Sequence, residues 1–385
     1  MNRVEHRVCE ICEEKYNLKV LKKISYCLPK KYKIQSEYDV VYCEKCGFCY
    51  ADTLATLEDY DNYYNNYNYY SISNVDNSLN NLPKNSIKEI FNNNFNKEDR
   101  ILDVGFGKAE LLLNLHQEGF YKIYGVDPSI ESVENAKKHG IKAYVGSIYR
   151  LQEVVDEKMD VIILTGVLEH LLKPALALKC ISKCIKEGGH LVIGVPNCEN
   201  LNFDNTPVSN NFNQEHINYF SKLSLCNMMS KNGFNAVKII DDKNYVDIFA
   251  IFKYSSVSKE DIKLDTITRA SIENYLHRQE KETEQYNKKL KLYIDKNSQI
   301  LVWGTGAFTM NLLLNSDLQK CNIAAFIDNN PLKYGTELYD KEIVSPKDIN
   351  NYTQAKAIII CCFKDAENIK QQIQEMNCTK EIIVL

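Results

Sequence analysis

Short apolar runs punctuated by glycine, asparagine and aspartate recur along the chain from residue 100 onward. ILDV (Ile101–Val104) reads as a buried strand, and it leads through Gly105 and Gly107 into KAELLLNLHQEG, whose leucines fall on one face of a helix. KIYGVDPS is a second strand ending on Asp127, GIKAYVGSI a third, MDVIILTGVLEHLLKP a fourth running into a helix, and GGHLVIGVPN a fifth. Strands and helices alternating at this spacing predict an α/β, doubly wound parallel sheet. Between Ser255 and Asn297 there is no proline or glycine and charge is high, so ASIENYLHRQEKETEQYNKKLKLYI reads as one or two bridging helices. QILVWGTGAFTMNLLLN then repeats the strand, glycine turn and helix, IAAFIDNNPLKYG adds a strand ending on Asp328, and AKAIIICCF adds another. This predicts a second, smaller Rossmann-like unit. The expected division is 1–75, 76–254, a helical linker 255–297, and 298–385.

At 385 residues the chain is long enough for two or three such cores. A formal net charge of −4 argues against nucleic acid as a partner. The opening MNRVEHRVCEIC lacks the apolar core of a signal peptide. No uncharged apolar run approaches the roughly 18 residues of a membrane span. The expectation is a cytoplasmic protein acting on a small molecule, as a monomer or weak homodimer.

Six of the 14 cysteines lie within the first 49 residues, two of them in CEIC (Cys9, Cys12) and two in CEKCG (Cys43, Cys46). Each Cys-x-x-Cys knuckle aims two thiolates at one point, and two knuckles complete a tetrahedral S4 shell for Zn2+. Unrelated reduced pairs or a redox dithiol are the alternatives. A segment too small for a core of its own needs a staple, and an all-cysteine shell leaves no open position, so the metal is read as structural. The following YDNYYNNYNYYSIS carries six tyrosines and is either a polar linker or a ligand-contacting segment.

The strand, glycine turn, helix and second-strand acid form a nucleotide-binding pattern. Asp127 follows Asp103 by 24 residues, and it can take two ribose hydroxyls while the glycines let a ligand lie against the backbone. NAD is the rival ligand. The acid that opens the turn, Asp103 in LDVGFG, resembles the class I S-adenosylmethionine (SAM) methyltransferases. That ligand has no pyrophosphate, so a third glycine is dispensable, and Ala109 stands in its place. The resemblance covers about residues 85–250. It implies a SAM site at Asp103, Gly105, Phe106, Gly107, Asp127, Pro128, Ser147, Ile148 and Thr165. It also makes Glu169–His170 in VLEHL a position that commonly reads this way whatever the acceptor, so His170 is taken as architectural. The repeated glycine turn near residue 305 could hold a dinucleotide, but a scaffold that binds substrate or only packs is preferred.

In this order the units resemble the sugar C-methyltransferases of deoxysugar biosynthesis. The matching stretches are CEIC…CEKCG, YNYYSIS, LDVGFGKAELL, EHINYFS, WGTGAFTMNLL and IDNNPLKYG. The resemblance implies methylation of a nucleotide-linked 4-keto sugar at the adjacent carbon, with His216 as the base. It further implies Glu215 and Tyr69 as catalytic neighbours and Tyr67, Tyr70, Ser71, Asn213 and Tyr219 as substrate contacts. A carbon beside a ketone needs a base near neutral pKa and a stabilised enolate, and an imidazole suits the first requirement. Family members usually carry Tyr and His where this chain has Asn213 and Gln214. The alternatives are O- or N-methylation of a related sugar, a non-catalytic SAM-binding scaffold, and methylation of RNA or protein.

Overall fold

A computed structural model describes residues 7–25, 37–66, 90–201, 207, 211–240, 247–257, 261–363 and 365–385. Contacts divide the chain into two compact units. The first is built chiefly from Lys30–Leu201 and Gln214–Ile272, and the second chiefly from Glu273–Leu385.

In the first unit, a small sheet of β1 (Leu18–Ser25), β2 (Glu37–Cys43), β3 (Cys49–Asp52) and β9 (Asn218–Tyr219) runs in the order β1-β2-β3-β9. The strand β9 is far from the others in sequence, and its antiparallel pairing Cys49↔Tyr219 brings the second Glu-His segment onto the cysteine knuckles. The main sheet has seven strands. Five are β4 (Ile101–Val104), β5 (Ile123–Asp127), β6 (Lys142–Val145), β7 (Met159–Thr165) and β8 (Ile185–Pro196), and a final hairpin adds β10 (Phe234–Ile240) and β11 (Asp247–Tyr254). The order is β10-β11-β8-β7-β4-β5-β6. The five expected strands are parallel, and β11 enters antiparallel to β8 and to β10. The chain reverses between β4 and β7, and the carboxyl ends of strands flanking that switch point form the crevice where ligands bind in such sheets.

The strands read as continuous apolar runs because both faces are covered. Along β7, Val161 and Ile163 enter the core on one face while Ile162 and Leu164 enter the core on the other, all fully buried. Each such side chain contributes roughly 1.5–3 kcal/mol of burial. The second of these cores also takes in Cys9, Ile11, Cys43, Cys46, Phe48 and Phe220, so the knuckles share a hydrophobic interior with the main sheet.

In the second unit, six strands run β14-β15-β13-β12-β16-β17: β12 (Gln299–Trp303), β13 (Asn322–Ile327), β14 (Glu337–Leu338), β15 (Lys341–Val344), β16 (Ala357–Ile360) and β17 (Glu381–Val384). All but β14 are parallel, as the repeated glycine-turn motif predicts. Ile300 and Val302 face one core, Leu301 and Trp303 the other. The proline- and glycine-free stretch forms one helix, Thr268–Asp295.

Candidate active site

The turn after β4 is shaped by hydrogen bonds to the next strand. The Gly105 N–H donates to the Val126 carbonyl at 2.7 Å, and the Gly107 N–H donates to Asp127 Oδ2 at 2.9 Å. Gly105 has φ 78°, and a Cβ there would stand 2.6 Å from the Val167 side chain. Gly107 has φ 54° with nothing within 4 Å of its missing Cβ, so the crest of the turn is bare backbone that a ligand can approach. Ala109, in the place of a third glycine, is itself left-handed at φ 61°, a strain of roughly 1–2 kcal/mol that glycine would relieve. Phe106 turns its ring into the core, leaving its backbone to line the turn.

Two acids frame this turn. Asp127 also accepts from the Ser129 N–H at 2.8 Å, and burial holds its carboxyl above the usual range. Asp103 is 1% exposed, and its Oδ2 has no hydrogen-bond partner among the described residues. Burial first, and the neighbouring Asp127 second, push its carboxyl up to about 8. A buried carboxyl left without a donor is a poor structural device and a good receptor for a cationic group. SAM, with its ammonium and sulfonium charges, fits that acid, and the bare glycine crest fits its backbone contacts. Ser147 caps the turn after β6 through the Tyr149 N–H, Ile148 is buried, Pro128 is exposed, and Thr165 is half-buried at the end of β7.

Next to this turn the two Glu-His pairs meet. Leu168–His170 is a single 3-10 turn after β7, and the Ile217 N–H donates to the Glu169 carbonyl at 3.0 Å. The imidazoles of His170 and His216 stand 4.9 Å apart, edge to face. His170 Nδ1 lies 3.0 Å from the Glu215 carbonyl, which can only accept, so Nδ1 carries the hydrogen and Nε2 the lone pair. Burial lowers His170 to about 4, and burial together with His170 lowers His216 to about 3, so both rings are neutral. Glu169 is 3% exposed, and its Oε2 has no hydrogen-bond partner among the described residues. Burial, then Asp247, raise its carboxyl to about 8. The same carboxyl lines a cavity with Thr165, Gly166, Gly194, Pro196 and Asp247.

The tyrosine-rich segment reaches this cluster through α1 (Leu57–Asn66). The Tyr63 hydroxyl donates to Glu215 Oε1 at 2.7 Å and accepts from Gln214 Nε2 at 3.1 Å, while the Tyr64 ring meets His170 edge to face. Tyr67, Tyr69, Tyr70 and Ser71 lie outside the described residues. Tyr219 is buried with its hydroxyl 2.9 Å from that of Tyr38, and Asn213 is half-buried.

Two residues with no motif around them hold the pairs together. Asn218 donates to the carbonyls of Leu168, Glu169 and Leu171 and accepts from Arg7 at 2.7 Å. The buried Arg7 guanidinium also donates to Ile217 and Leu172 carbonyls at 3.0 and 2.9 Å. The "HIN" triplet hints at Asn218 only by adjacency, and nothing in the sequence singles out Arg7.

The knuckle sulfurs converge as the spacing predicts. Cys9 and Cys46 Sγ lie 3.5 Å apart, Cys12 and Cys43 Sγ 3.4 Å apart, and all four are within 4.8 Å of one another and buried. Sulfurs at about 2.3 Å from a tetrahedral Zn2+ are roughly 3.8 Å from each other, so the set fits that ion with small adjustment. In the second unit, Asp328 at the end of β13 already accepts from Lys333 Nζ at 2.8 Å and from the Thr305 hydroxyl. Burial pushes its carboxyl up, but these partners outweigh burial and hold it below the usual range. The acid that a dinucleotide ribose would need is engaged internally.

The sheet order, the glycine turn and the paired acids define a class I methyltransferase core. Residues 76–239 match a family model described as a methyltransferase domain, and residues 296–384 match one described as C2185-like, N-terminal. The chain is 30% identical over 102 residues to the ubiquinone biosynthesis O-methyltransferase of Bradyrhizobium diazoefficiens, covering 26% of this chain and 40% of that protein. It is 33% identical to the Nitrobacter winogradskyi enzyme of the same name, covering 26% and 39%. The chain thus spans about two fifths of the length of these curated relatives. Among solved structures it is similar to Burkholderia thailandensis 1,6-didemethyltoxoflavin-N1-methyltransferase, with 13% identity, 55% of this chain and 97% of that one covered, and a TM-score of 0.43.

Proposed function

We propose that the protein is a SAM-dependent methyltransferase acting on a nucleotide-linked sugar, with transfer to the carbon beside a ketone as the leading reaction. The observation that carries the reading is the convergence of Glu169, His170, Glu215 and His216 beside the Asp103–Asp127 turn. Asp103, the backbone of Gly105 to Gly107, Asp127, Pro128, Ser147, Ile148 and Thr165 hold the cofactor. SAM, when bound, supplies an electrophilic methyl group on sulfur. The chain's own task is to orient the acceptor and take its proton. His216 is neutral, but burial and His170 hold it to about 3 in the ligand-free protein, so acceptor binding must raise it toward neutrality for it to serve as the base. Tyr63, already a donor to Glu215, keeps that carboxylate turned inward. Tyr63 and Tyr64 stand beside the Glu-His cluster and limit water there. The cysteine set binds a structural Zn2+.

A second reading, transfer to a hydroxyl oxygen, is favoured by the O-methyltransferase names of the curated relatives. Deuterium exchange of 4-keto nucleotide sugars in D2O, with S-adenosylhomocysteine present, separates the two. Washout beside the ketone supports the carbon acceptor. Its absence from every keto sugar, with S-adenosylhomocysteine still bound, turns the assignment to oxygen.

A further inference from the structure

We propose that Glu169, His170 and His216 form a binding site for one divalent transition-metal cation, separate from the cysteine site, on which an oxygen of the acceptor is seated. The ligand atoms of these three side chains all lie within 4.8 Å of one another, and Glu169 Oε1 is 3.7 Å from His170 Nε2. Three donors around a cation at about 2.1 Å stand roughly 3–3.5 Å apart, so closing the set needs shifts of about an ångström or less.

Three independent features support a cation. The His170 Nδ1 hydrogen bond to the Glu215 carbonyl fixes the tautomer that leaves Nε2 as a ligand, which is the outer-shell arrangement of metal-bound histidines. Among the described residues no donor reaches the buried Glu169 Oε2, and a cation would satisfy it. The ligands are also held rigidly: the Ile217 N–H bonds the Glu169 carbonyl, and Asn218 grips the Leu168, Glu169 and Leu171 carbonyls.

The donor set also states what the site is for. Four thiolates make a closed shell, whereas two imidazoles and one carboxylate leave positions open for an exogenous oxygen. Asp247, which lines a small cavity with Glu169, adds negative potential beside that carboxyl. A cation here offsets negative charge developing on an enolate or alkoxide oxygen. This inference goes beyond the methyl-transfer reading and gives His216 a second assignment. In the cation-free protein its lone pair takes the acceptor proton; in the loaded protein it is a ligand, and that proton passes to the neighbouring Glu215 carboxylate.

The test uses the full chain with its cysteine site zinc-loaded, titrated with Mn2+ and followed by loss of the free-ion electron paramagnetic resonance signal. Mn2+ is a hard ion that does not displace zinc from thiolates. The expected result is one Mn2+ per chain with zinc content unchanged, and binding at least about tenfold weaker in Glu169→Gln and His216→Ala. No uptake by the wild type at millimolar Mn2+, or variants that bind as the wild type does, overturns the proposal. Relaxation of the His170 and His216 ring resonances by Mn2+ in the wild type tests it without any variant. Failure here leaves the methyl-transfer reading intact, because S-adenosylhomocysteine binding and deuterium washout are measured separately in metal-free buffer.

Discussion

The rings of His170 and His216, separated by 46 positions in the chain, meet edge to face with centroids 4.9 Å apart. Each belongs to a Glu-His pair, and a backbone hydrogen bond between Ile217 and Glu169 holds the two segments in that register. The pairs therefore act as one cluster rather than as competing candidates.

Replacing His216 with alanine is expected to cut turnover by about 10²–10⁴, the loss typical of a missing general base. S-adenosylhomocysteine affinity should change little, because the glycine turn is built from β4 and β5. Single-turnover methyl transfer together with a calorimetric titration checks both halves. A parallel loss of affinity would place His216 in the cofactor site.

Asn218→Ala removes a fully enclosed amide whose two N–H hydrogens are shared among three carbonyls and whose oxygen accepts from Arg7. It leaves the Arg7 guanidinium without its side-chain partner. The expected cost is about 1–3 kcal/mol, since Arg7 loses a buried acceptor while the Leu168, Glu169 and Leu171 carbonyls keep the N–H donors of Leu171, Ile217 and Arg7. Denaturant titration reads it directly, and a loss below about 1 kcal/mol contradicts the bridging role.

Asp103 makes cofactor binding pH-dependent. Its carboxyl is held up to about 8, above the roughly 3.9 of an unfolded aspartate. Its contribution to the stability of the ligand-free protein is therefore full below about pH 4 and is lost as pH rises through about 8. A cationic ligand favours the ionised form, so binding near pH 7 should release close to one proton, and affinity should rise from pH 6 to 8. Calorimetry in two buffers of different ionisation enthalpy measures the release. Asp103→Asn should abolish it.

Chelation of the cysteine site is expected to lower the melting temperature of the first unit, because Cys9, Cys43 and Cys46 share a core with Phe48 and Phe220. S-adenosylhomocysteine binding should survive within a fewfold, since the hydrogen bonds that shape the β4–β5 turn run to Val126 and Asp127 rather than to the knuckles. Zinc release followed by a colorimetric chelator, alongside both measurements, tests the expectation. A collapse of affinity would make the metal part of the cofactor site.

Local periodicity was enough to read the parallel strands, the glycine turns, the acid at the end of β5 and the two knuckles. These features are set by residues within a few positions of each other, and the physics of burial and turn geometry marks them in any context. The ability of the cysteines to share a point is likewise written in their spacing. The edge hairpin β10–β11, the pairing of β9 with the knuckle sheet, and the clamp of Arg7 and Asn218 were not readable, because each depends on contacts between segments distant in sequence. The same is true of the site: within the Glu169–His170 pair, His170 reads as architectural. Only the folded chain buries Glu169 with an oxygen that no donor among the described residues reaches, sets His170 against His216, and ties Tyr63 to Glu215. Sequence by itself determined which residue types are present and how their own segments fold. Tertiary structure decided which side chains lose water together, and that shared desolvation tunes the acids and imidazoles of this protein.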